Sequence, residues 1–266
     1  MKEIQHMQFE MLQTCRDICR RYGLTYFLFG DTLRGAVRKS DFLPDSTEAA
    51  LLMPAGDLKN FCAYFDREKP EGLSLSTIYT EKECYHLHVK ICKDGTVGTP
   101  AKLLQMPVHH GISVSLYPYY PVDVGRLARP LTKVYMWVAE KLLGASLTPY
   151  LEKPSLLDTL LAKIPVEKRQ SILQKVVKKL EKGDKKSMQV CTPLGGANFF
   201  WREALGEEET FMLSFAGEEF RVPDRKEVFL NMTVPTVKNR FGDEMVWQTQ
   251  PEKEDGGRKN KKKSAR

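Results

Sequence analysis

The chain has 266 residues, 42% of them hydrophobic, and a formal net charge of +7. That suits one large domain, or one domain with an appended lobe, whose core folds without disulfides or metal. No apolar run approaches the ~18 residues of a membrane-spanning helix, the N-terminal MKEIQHMQFE is too charged for a secretory signal, and the six cysteines, at 15, 19, 62, 84, 92 and 191, form no Cys-x-x-Cys pair. These features point to a reduced, cytoplasmic setting.

Ile4, Met7, Met11, Cys15, Ile18 and Tyr22 recur at three- and four-residue steps, which predicts an amphipathic helix over 3–22. Gly23 is placed to end it. Tyr26–Phe29 reads as a strand, Gly30-Asp31-Thr32 breaks it, and Leu33 to Arg38 begins a short helix. Glu48–Met53 is a second strand. Pro54 opens a helix over 55–68 with Leu58, Phe61, Cys62 and Phe65 inward. Leu73–Tyr79 and Cys84–Cys92 read as strands, Lys93–Thr96 as a hairpin turn of the Asp-Gly kind, and Gly111–Tyr117 as a strand closed by Pro118. Residues from about 126 to 183 read as two or three helices. Their stripe of Val166, Ile172, Leu173, Val176, Val177 and Leu180 suits packing on the core or lying on a membrane surface. Lys133 to Leu143, with Tyr135, Met136 and Trp137, is the better candidate for membrane or partner contact, with a buried helix as the default. Thr192–Asn198 reads as a loop, Phe211–Phe215 and Glu218–Val222 as strands around Ala216-Gly217, and roughly 224–231 and 235–241 as helices. The organisation expected is one domain over 1–250, with a helical insertion at about 126–183, and a tail at 251–266.

From Glu252 to Arg266 there are seven Lys/Arg against three Asp/Glu, so +4 of the +7 lies in the tail. With alanine its one apolar residue, this stretch is expected to be disordered. Two readings stand: contact with anionic lipid headgroups or nucleic acid, or a solubilising terminus.

Phosphoryl transfer needs a backbone turn close to phosphate and paired carboxylates that hold a divalent metal. Gly30-Asp31-Thr32 at a strand-to-helix turn is a phosphate-contacting candidate, although Gly30 also answers to turn geometry alone. Arg34 and Arg38, four apart, point to one side; Arg38 is read as a diphosphate contact and Arg34 as solvated surface. His86, His88, His109 and His110 raise the question of zinc, but their spacing is not that of a known site and ordinary strand positions explain them better. Tyr117, Tyr119 and Tyr120 suit packing, or stacking on a base or choline group.

At this point the chain resembles a family. FGDTLRGAVR at 29–38, followed by Phe42-Leu43-Pro44, is similar to the LicD family, which includes the fukutin-related transferases. GISVSLYP at 111–118, FAGEEFRVP at 215–223 and RFGD at 240–243 resemble further family blocks in the same order. The resemblance implies an α+β fold: a nucleotidyltransferase-like mixed sheet flanked by helices, with a helical C-terminal part. It also implies transfer of a phospho-alcohol such as phosphocholine from a CDP-linked donor to a hydroxyl of a surface glycan, with Mg2+ as cofactor. Donor contacts then fall to Gly30, Asp31, Thr32 and Arg38, and the catalytic and metal-binding role to Glu48.

The departures fall on the chemistry. The family's two metal-binding aspartates on the second strand correspond to Glu48 and Ala50, and that of the later strand to Ser115. One of three expected metal carboxylates remains. Weakened or lost catalysis is therefore expected, with a non-catalytic binding or scaffold protein as the alternative. An anionic membrane surface, met through the tail at the inner face of the membrane, is a further candidate partner; nucleic acid is not expected.

Overall fold

The computed structural model describes residues 2–183, 186–232 and 244–249. The expected helix at 235–241, the block at 240–243 and the basic tail lie outside these residues. The first half runs α1 (Lys2–Tyr22), β1 (Phe27–Leu28), α2 (Gly30–Lys39), β2 (Ala49–Pro54), α3 (Ala55–Glu68), β3 (Leu73–Ser76), β4 (Val89–Lys93), β5 (Val97–Pro100) and β6 (Ser113–Pro121). Then come the helices α4 (Ala128–Leu147), α5 (Leu156–Ala162) and α6 (Val166–Glu181). The chain returns to strands with β7 (Gln189–Pro193), β8 (Ala197–Trp201), β9 (Phe211–Phe215) and β10 (Glu218–Val222), followed by α7 (Lys226–Leu230) and β11 (Met245–Gln248).

The architecture is α+β. A mixed sheet takes the order β1-β2-β6-β4-β3, with β2 and β6 parallel and the neighbouring pairs antiparallel, and β7 and β8 extend it from the far end of β6. β2 is apolar along its whole length because both its faces are covered; Ala49 to Met53 are fully buried. Its core partners include Leu12 and Cys15 of α1, Leu33 of α2 and Phe61 of α3. Leu142 and Leu143 of α4 with Leu173, Val176 and Val177 of α6 close a second core against Tyr120 and Cys191. The stripe read at 166–180 thus faces the protein interior.

Several boundaries differ from the sequence reading. α2 begins at Gly30 rather than Leu33, since Gly30, at φ +56°, makes the strand-to-helix turn within one residue. The strand expected over 84–92 is only Val89–Lys93, because β3 and β6 offer partners no further back than Val89. Lys93–Thr96 is a turn but not a hairpin: β5 leaves β4 and pairs with β11. β6 continues through Pro118 to Pro121. Its pairing with β4 ends at Leu116 and that with β7 begins at Tyr120, so on that edge Pro118 has no strand partner among the described residues, while on the other edge it lies beside Met53 of β2. The loop expected at 192–198 is the tip of the β7–β8 hairpin, with Thr192 paired to Asn198.

Candidate functional site

Cross-strand partners share a sheet face, and every second residue along a strand returns to it. The register sets Ala50 beside Ser115 and Ser115 beside Lys90. One face therefore carries the row Ala50–Ser115–Lys90, flanked on β6 by Ser113 and Tyr117, and Glu48 continues the alternation just ahead of β2. All of these side chains except the fully buried Ala50 border a cavity of about 180 Å³ that Asp31, Asp45, Gln8, His88, Met245 and Trp247 also line.

The turn after β1 fixes one side of this cavity. Phe29 N–H donates to the Ala50 carbonyl at 3.0 Å, and Ala50 N–H donates to Thr32 Oγ1 at 2.8 Å. Both backbone groups of Ala50 are thus held, and Asp31 is carried toward Glu48. Asp31 is itself committed: its Oδ1 lies 2.6 Å from Arg34 Nη1, and its Oδ2 accepts from Ser46 Oγ at 3.2 Å. Arg34 donates onward to the Leu230 and Met232 carbonyls. It is a tie between α2 and the C-terminal end of α7 rather than the solvated arginine expected. Arg38 is exposed on α2 and does not border the cavity; Gly30 and Thr32 lie buried behind it.

Glu48 Oε1 accepts from the Tyr117 hydroxyl at 3.2 Å. Burial, and next the charge of Asp31, push its carboxyl up to about 7, against the pull of the Tyr117 hydrogen bond, Lys90 and Arg34. A carboxyl titrating near neutrality is suited to taking or giving a proton. The Lys90 ammonium donates to the Tyr85 hydroxyl at 3.1 Å and lies 4.9 Å from that ring's centre. Gln8 Nε2 donates to the Thr47 and Ser113 carbonyls at 2.8 and 3.1 Å. Its Oε1, buried and without a hydrogen-bond partner among the described residues, is an acceptor at the cavity wall. Trp247 closes another side by packing on Gly98, where a β-carbon would sit 2.8 Å from the indole ring.

The Mg2+ implied by the resemblance can be tested against these donors. Glu48 and Asp45 bring carboxylates to the cavity, Asp31 is paired with Arg34, Ala50 has no lone pair, Ser115 is a neutral hydroxyl, and an ammonium shares the space. Magnesium needs hard oxygen ligands, normally one or two free carboxylates plus substrate phosphates. Among the described residues Asp31, Asp45 and Glu48 are not gathered within 4.8 Å of one another, so the cavity is not a preformed magnesium cage and the fit is poor without ligand phosphates.

Glu81, Cys84 and His86 form a separate cluster whose ligand atoms lie within 4.8 Å of one another. His86 Nδ1 lies 2.7 Å from the His88 carbonyl and Nε2 3.2 Å from Ser76 Oγ, so both ring nitrogens are engaged. Burial holds the imidazole well below the usual histidine range and pushes the Cys84 thiol up to about 12. The cluster is a hydrogen-bonded part of the interior. His86 and His88 lie in the irregular stretch before β4 rather than on a strand, with their rings stacked at 4.5 Å. His88 also stands at 4.5 Å from the Tyr117 ring and borders a second, mostly apolar cavity of about 370 Å³ between α3 and α6.

Of the wall residues, Asp31, Glu48, His88, Ser115 and Tyr117 were singled out from sequence. Lys90, Gln8 and Trp247 were not. The one signal for Lys90 was its position between Val89 and Ile91, which sends it to the face opposite two apolar residues. No family model and no curated protein matches the chain.

Proposed function

We propose that this chain is a divergent LicD-like protein that keeps the donor site of a phospho-alcohol transferase as a binding site and has weakened or lost metal-assisted transfer. The observation that supports this is the row Ala50–Ser115–Lys90. At the two strand positions where the resemblance expects metal carboxylates there is a methyl group and a hydroxyl, and the next strand brings an ammonium to the same face. A phosphorylated ligand then meets a fixed cation in Lys90 instead of a divalent ion. Gln8 Oε1 supplies an acceptor for a ligand hydroxyl or amine, and Tyr117 and Trp247 supply aromatic walls. A second reading, a working transferase, draws on Glu48: a carboxyl near neutrality is placed to accept the proton of an attacking hydroxyl.

The test is calorimetry with CDP-choline and CDP-ribitol, with and without Mg2+, alongside an assay for release of CMP. Binding that is insensitive to Mg2+, is lost in Lys90→Met and is not followed by cleavage is the expected result. Cleavage that depends on Mg2+ would overturn the binding-only reading. Restoring acids by Ala50→Asp with Ser115→Asp should create Mg2+ affinity; its absence would show that these positions do not form the metal site of the resemblance.

A further inference from the structure

α4 has two faces. Its inner face, with Met136, Ala139 and Leu143, is buried in the second core. Its outer face is apolar as well. Leu127, Leu131, Val134 and Trp137 recur at three- and four-residue steps on one side of the helix and are 77%, 47%, 53% and 52% exposed. The default of a fully buried helix therefore holds for only one side of it. α5 packs along α4 through Asp158, beside Lys141 and Gly144, and adds Leu156 and Leu160 at 86% and 60% exposure. Exposed apolar surface of this extent calls for a partner.

The charge around it selects the partner. From Val124 to Ala139 the chain carries Arg126, Arg129 and Lys133 and no acidic residue. Arg129 and Lys133, both exposed, lie over the Phe199 ring at 4.7 and 6.0 Å, on the flank of α4 between its buried and outer faces. A two-fold dimer through this face would set these cations against their own copies, a repulsive arrangement. An anionic bilayer offers the reverse, with negative headgroups for the arginines and lysine and an acyl boundary for Leu131, Val134 and Trp137. We infer that the outer face of α4, with α5 beside it, is a membrane-docking surface for anionic lipid, lying in the headgroup plane rather than crossing it. No helix among the described residues is long and apolar enough to cross a membrane. The inference is independent of what the polar cavity binds.

Sedimentation of the full chain with vesicles tests it. Pelleting is expected with vesicles in which about a third of the lipid is phosphatidylserine, falling as salt rises, and little pelleting with phosphatidylcholine alone. Leu131→Ser with Trp137→Ser should lower the partition coefficient at least about tenfold, and Val134→Ser alone by a smaller factor; since these side chains are about half exposed, the melting curve of each variant is recorded to separate loss of binding from loss of fold. Replacing Lys259, Lys261, Lys262 and Lys263 with Gln separates the tail from the helix; binding in that background should still depend on Trp137. Equal binding by the Leu131/Trp137 variant and the wild type would overturn the inference, as would failure to pellet with either vesicle. So would a concentration-dependent dimer that the same substitutions abolish, which would give the face to a second copy of the chain.

Discussion

Glu48 is held at a cost that can be measured. Its folded carboxyl titrates at about 7 against an ordinary 4.5, and the unfolded chain releases the proton over that interval while the folded chain keeps it. Below pH 4.5 both states are protonated and Glu48 costs nothing. As pH rises from 4.5 to 7 the unfolded state gains, and above 7 the cost is complete. At about 1.4 kcal/mol per pH unit the ceiling is about 3 kcal/mol. The carboxyl is deeply buried although the residue as a whole keeps some exposure, and the expected figure is about 1–3 kcal/mol. Glu48→Gln removes the titration and keeps an oxygen to accept from Tyr117. Urea unfolding of both proteins from about pH 5 to about pH 8 should show the variant pulling ahead as pH rises, with unchanged m-values. The low histidine range of His86, which makes stability fall as pH drops below the ordinary histidine value, is common to both proteins and cancels in the difference. Parallel stability curves, or a variant less stable than wild type at pH 8, would refute the reasoning.

The neighbours of Glu48 give a second check: Lys90→Met should move its titration up and Asp31→Asn should move it down, read by NMR of the labelled carboxyl. Thr32→Val should cost about 1–3 kcal/mol in urea unfolding, because it leaves the buried Ala50 N–H unpaired at nearly constant shape, while Thr32→Ser recovers most of that loss. Gly98→Val should dislodge Trp247 from the cavity wall and press on the Ile112 backbone just ahead of β6; in a Trp137→Phe, Trp201→Phe background this is expected as a red-shifted and more quenchable indole emission.

Local signals carried much of the fold. The bounds of α3 follow from Pro54 and an inward face every third or fourth residue, and β9 and β10 from alternation around Ala216-Gly217. The reading failed where a strand depends on a distant partner. Alternation continues from Cys84 to Cys92, yet only the part from Val89 is a strand, because only there do β3 and β6 supply hydrogen bonds. Pro193, Gly195 and Gly196 made 192–198 look like a loop although flanking strands reach into it. The candidate site divides in the same way. Asp31 and Glu48 sit beside a legible turn, and Ser115 and Tyr117 on a legible strand. Lys90 arrives through the β4–β6 register, Gln8 from a helix packed against the sheet, and Trp247 on a strand that pairs with β5.

The cavity wall joins Gln8, in the first helix, to Trp247, on the last described strand. During synthesis α1 and the central sheet are made long before β11 can lie down on β5, so the pocket is among the last features to form. A polypeptide cut short before Met245 would retain most of the hydrophobic interior and yet present an open trough where the intact protein has a bounded chamber. Closure of the cavity would therefore report on whether synthesis has passed Trp247, a property that bulk measures of folding such as circular dichroism would scarcely register.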